Sequence, residues 1–116
     1  MIRYADNFIE YLINVKKTSG NTVAAYRRDI GKLIHYLENY GVESLEHVSF
    51  TILNSYVMGL ERMGNATASI SRNVSAMKSF FSYLFYEKII KRFIYPCFLH
   101  ICMIKYKCNN KMRLFL

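Results

Sequence analysis

Between residues 67 and 90, Ile70, Val74, Met77, Phe81 and Leu84 recur at intervals of four and three, the spacing that lines one face of a helix. The next row round is Ser71, Ser75 and Lys78, and Arg72, Ala76 and Ser79 continue onto the polar side. Small hydroxyl residues and two cations therefore flank the apolar seam, and no acid occurs between Glu61 and Glu87. A long acid-free helix with short side chains can approach a phosphate backbone closely.

Three earlier segments carry the same period. Tyr4, Phe8, Leu12 and Val15 predict a helix over residues 4–17, with Asp6 and Glu10 in its early turns, where the helix dipole favours them. It stops at Thr18-Ser19-Gly20-Asn21, and Asn21 or Thr22 can accept the free amides of a second helix. Val23, Tyr26, Ile30, Leu33, Leu37 and Tyr40 form that helix's stripe, and Gly41 suits the left-handed residue that ends it. An acidic connector over residues 41–48 follows, holding Glu43 and Glu46. Ser49 or Thr51 caps a third helix with Leu53, Tyr56, Val57 and Leu60 on its core face, broken by Arg62, Gly64 and Asn65. With no period-two alternation, the pattern is that of an all-α chain, a small four-helix bundle over residues 1–90.

Composition agrees with one globular domain: 116 residues, 53% hydrophobic, a single Pro and five Gly. The net charge of +8 suggests a polyanion partner until it is divided along the chain. Residues 1–90 hold ten Lys or Arg against eight Asp or Glu, whereas residues 91–116 hold six cations and no acid. Most of the excess is in the tail, so a nucleic-acid argument must rest on local placement.

That tail is atypical. Apolar residues lose any sustained period after Ile90, Pro96 stops any helix continuing from the fourth, and Cys97, Cys102 and Cys108 all fall there. An odd number of cysteines at those intervals is not a disulfide framework, and even with His100 nearby the spacing is wrong for zinc. Reduced thiols in a cytoplasmic chain, with no metal, are the expectation. The longest uncharged run, residues 93–104, is too short for a transmembrane helix, which needs about 20 residues.

No pattern supports catalysis. A glycine-rich phosphate loop, paired carboxylates on one helical face and a His-x-x-x-His spacing are all missing. His35, His47 and His100 are isolated, each reading as a surface or packing residue because a general base needs a positioned partner. The expectation is a binding or assembly module with no catalytic residue and no cofactor.

Two stretches carry a resemblance. SGNTVAAYRRDIGKLIHYLENYG (residues 19–41) and SISRNVSAMKSFFSYLFYEKII (residues 69–90) are similar to the second and fourth helices of the N-terminal core-binding, SAM-like domain of tyrosine recombinases of the Xer and phage-integrase type. LEHVSFTILNSYVMGL resembles that family's third helix and NFIEYLINVKK its first. The resemblance implies a bundle that clamps one face of double-stranded recombination-site DNA through its second and fourth helices, in company with other recombinase protomers. Carried over by position, it implies DNA contacts from Asn21, Thr22 and Arg27, and from Ser69, Ser71, Arg72, Ser75 and Lys78. It also implies core places for Tyr26, Phe80 and Phe81. The family's tyrosine nucleophile and its supporting arginines, lysine and histidines belong to a C-terminal catalytic domain that these 116 residues do not match. Tyr95-Pro96 falls where members commonly have Asn-Pro before the interdomain linker, and a frameshift or truncation would explain the tail beyond it.

The alternative is a helical protein-interaction module. Phe93, Ile94, Phe98, Leu99, Ile101 and Met103 form more apolar surface than water tolerates as one patch, which would drive self-association or partner binding through residues 91–116.

Overall fold

The structure, a computed structural model, describes residues 1–91. Four α-helices occupy them: α1, Ile2–Asn14; α2, Gly20–Tyr40; α3, Phe50–Arg62; and α4, Thr67–Tyr86, with a short 3-10 turn at Leu45–His47 before α3. Among the described residues there is no strand, and the fold is all-α as the periodicity predicts.

Local chemistry sets the helix ends. Ser19, rather than Asn21 or Thr22, caps α2, its Oγ accepting from the Thr22 backbone N–H at 3.4 Å. Ser49 caps α3 in the same way, accepting from the Ile52 N–H at 3.3 Å. Gly41 follows α2 at φ 99°, and its N–H and that of Val42 bond back to Glu38 and Leu37 carbonyls, a Schellman closure. Gly64 and Asn65 close α3 similarly on Glu61 and Leu60. A third closure was not legible in the sequence. Lys88 adopts φ 62°, its N–H bonds to the Phe85 carbonyl, and Ile89 bonds to Leu84, so α4 ends at Tyr86 instead of running to residue 90.

The core lies where the stripes converge. α1 and α2 pack together, and α4 meets α1, α2 and α3. Phe8 of α1 faces Phe80 and Tyr83 of α4 with ring centroids 5.3 and 5.5 Å apart, and Tyr36 of α2 faces Tyr56 of α3 at 5.0 Å. Every predicted core residue of α3 is buried: Leu53, Tyr56, Val57 and Leu60. Tyr4 is half-buried against the core, and two stripe residues near helix ends are exposed. Val15 is 66% exposed and Tyr40 is 54% exposed. α1 ends at Asn14, so Val15 lies outside the α1 helix, while Ala5 and Ile9 join Phe8 and Leu12 inside. Tyr26 is half-buried and packs against the core.

In α4 the predicted seam of Ile70, Val74, Met77, Phe81 and Leu84 is buried, but so are Asn73, Ala76, Lys78, Phe80 and Ser82. At about 100° per residue, these positions occupy roughly two thirds of the helix circumference. Contact with three other helices explains the width, and it buries Lys78 of the row beside the seam and Ala76 of the polar side.

The readings for the tail, including Cys97, His100, Cys102 and Cys108, lie outside the described residues.

Candidate nucleic-acid interface

The wide burial of α4 leaves one open strip, and α2 lies beside it. The two helices are tied by an ion pair: Asp29 of α2, 1% exposed, accepts from Arg72 Nε at 2.8 Å and from Arg72 Nη2 at 3.0 Å. Two parallel N–H···O bonds to one carboxylate fix the guanidinium plane as well as its position. Those bonds hold Arg72 above its ordinary pKa, so it stays charged. Its side chain remains 41% exposed at the seam between the helices.

The same carboxylate acts electrostatically on two tyrosines. Burial pushes the Tyr56 phenol up to about 12, with Asp29 adding to it. Burial also raises Tyr26, opposed by a hydrogen bond to Ser79 of α4 and reinforced by Asp29. The field of one buried charge on α2 is thus felt on α3, at Tyr56, while its ion pair reaches α4.

The residues expected to meet DNA do not all fall together. Asn21 is exposed and Thr22 half-buried in the first turn of α2, with the Ser19 hydroxyl 3.0 Å from Thr22 Oγ1. Ser69, Ser71 and Ser75 are half-buried along α4, with Arg72 exposed between them. Lys78 is elsewhere: it is 1% exposed, and burial holds its ammonium down to about 8. An interior ammonium is not on the strip that a phosphate could reach.

Arg27 also parts from the group. Asp29 marks the edge of α2 that faces α4, and Arg27 lies about 160° round the helix from it. Asn21, Ala25, Arg28 and Lys32, spaced by four, three and four, instead form a row on the flank next to that edge. Arg28 and Lys32 are both exposed. The family resemblance singles out Arg27 instead of Arg28 or Lys32, and nothing in one helix says where its neighbour lies. Asp29 was missed, although a signal existed: it stands three residues after Tyr26 and four before Leu33, on the apolar stripe itself.

Over residues 19–37 and 67–86, the acid content is Asp29 alone, and it is buried and paired. The surface made by these stretches therefore offers Arg28, Lys32 and Arg72 with no exposed carboxylate among them. The start of α4 adds to this. Ala66 occupies its cap position without a side-chain hydrogen bond, so the first-turn amides receive no acceptor from the cap residue's side chain.

Among the described residues, no group of three or more His, Cys, Asp or Glu could hold a metal ion, and no helix is long and apolar enough to cross a membrane.

Residues 5–88 match the family described as Phage integrase, N-terminal SAM-like domain. Tyrosine recombinase XerC of Anoxybacillus flavithermus is 34% identical over 83 residues, covering 72% of this chain and 28% of that relative. Tyrosine recombinase XerC of Herpetosiphon aurantiacus and tyrosine recombinase XerD of Chlorobaculum tepidum are each 33% identical over 84 residues, covering 72% of this chain and 28% and 27% of theirs. The match thus spans under a third of the length of these relatives. No solved structure matches the chain.

Proposed function

Because the chain belongs to the phage-integrase N-terminal SAM-like family, we propose that it is a DNA-binding domain that grips duplex DNA along the seam between α2 and α4. The observation that carries this reading is the acid-free exposed surface of that seam, with Arg28, Lys32 and Arg72 set among Asn21, Thr22, Ser69, Ser71 and Ser75. Cations and helix N-termini would hold the phosphates and fix the register. The short hydroxyl side chains would sit closest to the groove and contribute limited base readout. On this reading Lys78 supports the helix from within rather than touching DNA, and Arg27 lies beside the contact surface.

The relatives carrying this domain are tyrosine recombinases, and a role in site-specific recombination, alongside other recombinase protomers, follows by analogy. Strand cleavage would belong to a catalytic domain that the matched segment does not include.

Titration of the full 116-residue chain with duplex DNA at several salt concentrations tests the reading. With about three to five phosphates engaged, log affinity should fall against log salt with a slope of roughly −3 to −4.5. Absence of binding, or binding indifferent to salt, would end it.

A further inference from the structure

The Asp29–Arg72 pair joins a fully buried acid to a base that is 41% exposed, at the place where the exposed rows of α2 and α4 meet. Asp29 engages Nε and one N–H of Nη2. Both N–H groups of Nη1 and the second of Nη2 are on the edges of the guanidinium turned away from it. A planar fork pinned along one edge presents its other donors in a fixed direction.

Building on the DNA-binding reading above, we infer that Asp29 is a positioning residue for DNA binding, holding the Arg72 guanidinium in the orientation in which its free edge meets a phosphate. Asp29 is shielded from solvent and consumes two donors whose loss leaves the outward ones intact. An unanchored arginine would have to be ordered when DNA arrives, and that ordering costs affinity. The role is opposite in sign to what charge alone dictates. Removing an acid from beneath a DNA-facing surface adds one unit of positive charge, which by electrostatics should tighten binding. Positioning requires that it loosen.

The test uses the full chain and a mixed-sequence duplex, with Asp29→Asn, Arg72→Gln and the double variant compared at two salt concentrations. Asp29→Asn is expected to weaken binding by about two- to tenfold, the cost of ordering one long side chain. Arg72→Gln should lower the magnitude of the salt slope by about 0.9, one phosphate contact. The double variant should bind no more weakly than Arg72→Gln, because Asp29 acts only through Arg72. A merely structural pair would show the same coupling but leave the Arg72→Gln salt slope at its wild-type value, with affinity falling only in step with the melting temperature. Asp29→Asn binding as tightly as the wild type or more tightly, or weakening binding equally in the Arg72→Gln background, would overturn the inference. Should Asp29→Asn lose its helical circular dichroism, Arg72→Lys decides: it keeps the charge but not the fork, so affinity should fall with the slope unchanged, and undiminished affinity would overturn the inference. A wild-type chain that does not bind DNA at all would remove the parent reading and this one with it, an outcome visible in the first arm.

Discussion

Lys78 shows how a single residue's role depends on which helices surround it. In sequence it shares a row with Ser71 and Ser75 beside the apolar seam of α4, and a cation there reads as a phosphate contact. In the fold it is buried, and desolvation brings its pKa from 10.5 to about 8. The consequence is a pH dependence of defined sign. Below about 8, Lys78 is charged in both states and folding bears the desolvation cost. Between about 8 and 10.5 the unfolded chain binds more protons than the folded one, so stability rises with pH. Thermal melts from pH 8 to 9.5 should show a gain of order 1 kcal/mol, absent in Lys78→Met. The window stops short of pH 10 because Tyr26, Tyr56 and Tyr83, whose pKa values are raised in the fold, lower stability as the unfolded phenols ionise. A flat profile in the wild-type chain would mean that Lys78 is solvated.

Elements were legible to different depths for physical reasons. α3 packs chiefly on α4, so one narrow stripe describes its contacts, and all four of its predicted core residues are buried. α4 touches three helices, and periodicity locates the centre of a buried arc but not its width. Asn73, Ala76, Lys78 and Ser82 were therefore assigned to no core in advance. Helix ends followed recognisable chemistry at Gly41 and Ser49, while the left-handed Lys88 carried no glycine to mark it. The unfilled cap of α4 separates stability from function. Ala66→Asp would supply the missing acceptor and is expected to stabilise the chain by about 0.5–1 kcal/mol. It would also set a carboxylate beside the first-turn amides, so DNA affinity should fall while the melting temperature rises. A variant that melts higher and binds DNA unchanged would remove the start of α4 from the interface.

For the whole molecule, the helix count and the order of the stripes were open to reading, because each is a local property of 10 to 20 residues. The pairing of faces was not. Arg27, Arg28 and Lys32 are equivalent on an isolated helix, and the Asp29–Arg72 pair shows which flank lies against α4. Global charge was uninformative for the same domain, since its cations and acids nearly balance and the excess lies in residues 91–116. What distinguishes the α2–α4 seam is that its one acid is buried. The seam as the DNA face is therefore tested most directly by a salt titration of Arg28→Ala/Lys32→Ala beside Arg27→Ala in the full chain. The double variant should lose affinity and lower the magnitude of the salt slope by about two, whereas Arg27→Ala should change both less. An unchanged slope in the double variant, or a greater loss in Arg27→Ala, would contradict the assignment.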